Sequence, residues 1–158
     1  MGFFGILYRG VNYFIGVLVI LTISFMIFDV NLGVFFRYVL NDALCWTEEL
    51  ARYLMVWFAF FGMSFALRDN QHVGVIFILQ RLPPGARRIV QFLNRVIVMI
   101  FLVFLFKYSL NHLKVVSVQL SPSMEIPMYL AYSAVTVGTL LMMLENLKHM
   151  VSELRRGY

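Results

Sequence analysis

The densest cluster of ionisable and polar side chains runs from Arg37 to Arg52, in the stretch RYVLNDALCWTEELAR. Glu48 and Arg52 stand four apart with the acid first, the better order for an ion pair along one helix face. Glu48 and Glu49 fall in the first turn of a helix, where the positive end of the backbone dipole favours carboxylates. Tyr38 and Trp46 are the aromatic types that settle at a lipid–water boundary. Two readings stay open on these residues. They form a capped and anchored helix start, or they hold a buried Glu–Arg pair that meets a partner protein. Helix-end electrostatics favour the first.

Asp29 follows an apolar run from Val11 to Phe28. A charged residue in a membrane helix is a functional candidate by default. A span starting near Val11 sets Asp29 close to the far interface, within reach of water. An interfacial position or a contact with a neighbouring subunit is therefore expected, in preference to proton relay. Arg95 and Lys107 bracket an uncharged stretch and can snorkel to opposite interfaces. Glu145 precedes Lys148 by three and His149 by four, the spacing of a satisfied pair.

The three histidines raise haem ligation, because two facing histidines in a helical membrane subunit can hold that cofactor. None of His72, His112 and His149 falls in mid-span, so a transmembrane haem pair is poorly served and no cofactor is expected. His72 reads as the end of the second span, bonded to local backbone. Cys45 is the single cysteine, which rules out an intrachain disulfide and a cysteine metal cluster.

The elements that must carry these residues are membrane helices. Of the 158 residues, 61% are hydrophobic and 13% charged, against about 25% charged in soluble domains. The mean hydropathy of +0.83 agrees. Apolar runs place four spans at about 11–36, 49–67, 89–110 and 127–150 in one membrane domain covering 1–158. Each is near the ~20 residues needed to cross ~30 Å of hydrocarbon. The first run is too long for a signal peptide's apolar region and no small-residue cleavage site follows, so it reads as a retained helix. The fold class is all-α integral membrane, with a short interfacial segment at 73–82 between the second and third helices. Pro83, Pro84 and Gly85 then break the chain, and Pro127 is placed to open the fourth helix. Gly62 with Ala66, and Ala134 with Gly138, offer small-residue surfaces for close helix contact.

The net charge of +5 sits at the ends of the apolar runs, the pattern of topology signals and not of a nucleic-acid face. Arg9, Arg68, Arg81, Arg87, Arg88, Lys148, Arg155 and Arg156 share one side, while Arg37 and Lys114 lie on the other. The positive-inside rule then sets both termini in the cytoplasm.

The string RYVLNDALCWTEELARYLMVWFAFFG resembles the signature of the small membrane subunit, DctQ type, of tripartite ATP-independent periplasmic (TRAP) transporters. That signature is an Arg-Tyr, an Asn and a Trp-x-Glu-Glu-Leu-x-Arg run leading into the second of four membrane helices. The likeness continues in His72-Val-Gly-Val and Leu82-Pro83. It departs at Val75 and Ile76, where family members more often carry an acidic residue.

The resemblance implies a bacterial inner-membrane subunit without catalysis of its own. Its partners would be a large DctM-type permease, a periplasmic substrate-binding protein and the surrounding membrane lipids. The large subunit would hold the sodium and substrate sites, and this chain would widen its fixed scaffold. By the same resemblance, Arg37, Tyr38, Asn41, Trp46, Glu48, Glu49 and Arg52 help hold that scaffold, and the part nearest the outer face meets the binding protein. The residues agree in one respect: the chain has too few intramembrane charges to build an ion-coupled substrate site unaided. The rival functions are a haem-binding anchor of a membrane oxidoreductase and a self-associating four-helix protein.

Overall fold

The computed structural model describes residues 3–68 and 83–156. They form four helices: α1 Phe3–Tyr38, α2 Thr47–Arg68, α3 Pro84–Val116 and α4 Tyr129–Arg156. All four contain a stretch long and apolar enough to cross a membrane. The expected interfacial segment, with His72, Val75 and Ile76, lies outside the described residues.

Local chemistry explains where the helices begin and end. Pro84 opens α3 behind an extended Pro83 (φ −61°, ψ 153°). A proline lacks only an N–H that the first turn would leave unbonded, and it pushes the residue before it into extended backbone. Arg37 occupies the last turn of α1, where a cation meets the negative end of the dipole. Asn41 then takes a left-handed conformation (φ 51°), which asparagine tolerates better than most residues. Pro127 does not open α4 directly. It bridges to Leu120 in the α3–α4 loop, and the helix starts two residues later.

The helices lie side by side in the order α1, α2, α4, α3, and no other pair of described helices touches. This is an open layer, not a closed bundle. Gly33 meets Thr47 and Gly16 meets Phe65, so α1 and α2 are antiparallel. Asn146 bonds the carbonyl of Arg95 and Thr136 bonds Ser109, so α3 and α4 are antiparallel too. Trp57 reaches Leu130, while His149 reaches Arg68 at the other end, which makes α2 and α4 parallel neighbours.

The inner member α4 has a third of its spanning stretch buried, 33%, against 6% for the edge helix α3. Leu67, Leu102 and Met142 form the apolar core, with Phe60, Val98 and Met143 packed on it. Of the two small-residue pairs, Ala134 and Gly138 are buried, and Gly138 sits against Phe60. Gly62 has open space where a side chain would project and Ala66 is exposed, so that pair makes no contact of this kind within the chain.

Three charged side chains are paired or buried within the layer. Arg95 pairs with Glu153 across α3 and α4, with both side chains largely covered. Lys148 does pair with Glu145, at 3.8 Å. Asp29 is only 3% exposed within the chain, and α1 runs on as helix for more than two turns beyond it.

Candidate functional site

The polar cluster forms the junction where α1 ends and α2 begins. Arg37 comes from the last turn of α1 and Glu48 from the first turn of α2. Arg37 Nη2 donates to Glu48 Oε1, an ion pair with both side chains exposed. The expected partner, Arg52, bonds the backbone instead: its Nε donates to the Glu48 carbonyl at 3.2 Å. The α1–α2 turn brings Arg37 to the Glu48 carboxylate from the other helix, and the Arg52 side chain donates to the main-chain oxygen behind it.

Glu49 points the other way and is buried. Tyr53 Oη donates to its Oε1. Its Oε2 accepts the backbone N–H groups of Ser123 at 2.9 Å and Met124 at 3.2 Å. These belong to the α3–α4 loop, which folds on itself through Ser121 N–H to Ile126 C=O (2.9 Å) and Met128 N–H to Gln119 C=O (3.0 Å). Glu49 therefore ties the start of α2 to that loop. Spacing alone had placed Glu49 beside Glu48 as a second helix-end charge. Only Tyr53, one turn on, was within reach of a local argument.

The remaining motif residues divide by exposure. Tyr38 and Asn41 are exposed, and Trp46 is half-buried with its carbonyl accepting the Leu50 N–H. Thr47 is buried against Gly33, and its hydroxyl bonds the Leu44 carbonyl at 2.9 Å. A cleft of about 400 Å³ lies along the junction, with Val30, Val34 and Ala51 as apolar wall and Arg37, Glu48 and Arg52 as polar rim. Asp29 is not part of that lining.

No cluster of three metal-ligating side chains occurs among the described residues. His112 lies near the end of α3, edge-on to Tyr132, and His149 lies near the end of α4, bonded to the Arg68 carbonyl. Since α3 and α4 are antiparallel, these two histidines sit at opposite ends of the layer and do not face each other. The junction pairs charges and presents aromatic and polar side chains at a helix end, which suits protein–protein or headgroup contact.

The profile of the family described as "Tripartite ATP-independent periplasmic transporters, DctQ component" matches residues 26–156, the junction and all of α2 to α4 included. The chain belongs to the DctQ family. A protein of Haemophilus influenzae named as a TRAP transporter small permease protein is 30% identical over 83% of this chain and 81% of its own length. The C4-dicarboxylate TRAP transporter small permease protein DctQ of Rhodobacter capsulatus is 33% identical over 63% of this chain and 44% of that protein. The isethionate TRAP transporter permease protein DctMQ of Oleidesulfovibrio alaskensis is 25% identical over 82% of this chain but 22% of its own length. As a DctQ-family member with four spanning helices, the chain is a multi-pass membrane component of a transporter and not an enzyme.

Proposed function

We propose that this DctQ-family chain is the scaffold subunit of a TRAP importer in a bacterial inner membrane. It stands beside a large DctM-type permease and supports sodium-coupled uptake of an organic anion that a periplasmic binding protein delivers. Both termini are cytoplasmic. The observation that carries this reading is the open helix layer. On the edge helices, Ile20, Phe28 and Phe35 of α1 and Ile97, Phe101 and Phe104 of α3 are all exposed. A layer one helix thick offers broad flat sides to a larger helical partner and encloses no path of its own among the described residues.

Two further facts support it. This chain aligns with under a quarter of the DctMQ protein, whose remaining length leaves room for a large component joined to the matching part. The excess of Lys and Arg at one end of the layer favours cytoplasmic termini.

Within the junction we assign roles by what each residue faces. Asn41 and Glu49 hold this chain's own turn and loop. Arg37, Tyr38, Trp46, Glu48 and Arg52 offer the surface on which a neighbouring subunit or the binding protein rests.

The test is reconstitution. The chain should co-purify with a large permease encoded beside it, and vesicles should accumulate substrate only with both membrane proteins, the binding protein and a sodium gradient. Uptake at full rate by the large permease alone would overturn the proposal.

A further inference from the structure

Asp29 differs from the other described polar side chains on α1. It is 3% exposed, and both carboxylate oxygens are buried without a hydrogen-bond partner. Among the described helices, α1 packs against α2 alone.

No cation answers it from that side. On α2, Glu48 takes Arg37, Glu49 takes Tyr53 and the loop amides, and Arg52 turns back along its own helix. Arg68 lies at the far end of α2, over the Phe65 ring. On α1 itself, Arg37 is two turns away and engaged. An ionised carboxylate between two membrane helices, with neither water nor a cation, is strongly disfavoured.

Its neighbours on α1 show what satisfies a polar group there. The Thr22 hydroxyl donates to the Leu18 carbonyl at 2.6 Å, and the Asn31 amide donates to the Ile27 carbonyl at 2.7 Å. Each gives a hydrogen to the carbonyl four residues back. A carboxylate has no hydrogen to give, whereas a carboxylic acid has one. Asp29 and Asn31 have side chains of the same length.

We infer that Asp29 is a proton-binding site within the membrane layer, held as the neutral carboxylic acid with its O–H donated to the Phe25 carbonyl. The ligand is a proton, not a metal ion or a partner's basic side chain. This does not depend on the transport role. The proton is retained while α1 lies on α2, and separating the helices lets water in and releases it. Asp29→Asn keeps the shape and the donor, so it should leave the fold unchanged.

Infrared spectroscopy of the full chain in lipid vesicles at neutral pH tests this. The wild type should show a carboxylic-acid carbonyl band above the amide region. That band should shift in heavy water and again when the aspartate carboxyls carry carbon-13, which separates it from the glutamates. It should vanish in Asp29→Asn, which distinguishes it from Asp42 and Asp69. Absence of an acid band in the wild type, or its survival in Asp29→Asn, would overturn the inference. So would failure of Asp29→Asn to fold, because that would show a requirement for the ionised form.

Discussion

Glu48 and Glu49 are chemically identical neighbours, but successive residues on a helix point about 100° apart. Glu48 therefore meets Arg37 in the open, and Glu49 enters the protein to collect three donors. Exposed pairs contribute little, because water screens them and two long side chains must be ordered. A buried acceptor that satisfies otherwise unpaired donors contributes much more, since removing it strands all of them. Glu49→Ala should lower the thermal unfolding midpoint in detergent by several degrees, with Glu49→Gln intermediate. Arg37→Ala, Glu48→Ala and the double replacement should each leave it nearly unchanged. Equal losses at the two glutamates would contradict this division. Helix-end placement of both acids was legible in the sequence, but their partners were not. The Ser123 and Met124 amides lie 74 and 75 positions from Glu49, beyond any helical spacing rule. Arg37 reaches Glu48 only because the α1–α2 turn doubles back.

At the scale of elements, the fit between α2 and α4 depends on Gly138. A β-carbon there would come 2.5 Å from the Cβ of Phe60, which is fixed to the backbone and cannot swing aside. Gly138→Val should weaken the α2–α4 contact by about 1–3 kcal/mol, the usual penalty for overpacking. Gly62→Ala enters open space and should be neutral or stabilising by up to about 1 kcal/mol, as alanine favours the helix. Unfolding of both variants in mixed detergent micelles checks the contrast. Similar losses at both positions would mean that Gly62 also packs closely. Long apolar runs made the four helices legible, since few other structures accommodate such runs. Their lateral order was not. In a membrane, a side chain facing lipid and one facing another helix are equally apolar, so periodicity does not mark the packed face. The burial of Asp29 was hidden for the same reason: the sequence does not mark which face of α1 is packed.

For the whole molecule, the topology and the charge bias make one joint claim. The α1–α2 turn and the α3–α4 loop lie at one end of the layer, tied by Glu49, and the start of α1 and the end of α4 lie at the other, with Arg68, Arg87, Arg88 and Lys148. If positive charge stays inside, the Glu49-tied end faces the periplasm. Cys45 reports on this directly, being exposed in the α1–α2 turn and the only cysteine in the chain. A membrane-impermeant maleimide added to intact spheroplasts should label it, with no further gain on permeabilisation. The large permease could cover that turn and block the reagent, so a reporter is needed at the opposite end as well. In a Cys45→Ser chain carrying Tyr158→Cys, labelling should require permeabilisation. The reverse pattern at the two positions would invert the molecule in the membrane. It would then place the Arg37–Glu48 junction in the cytoplasm, where a periplasmic binding protein has no access, and the junction would be left with only the large permease as a neighbour.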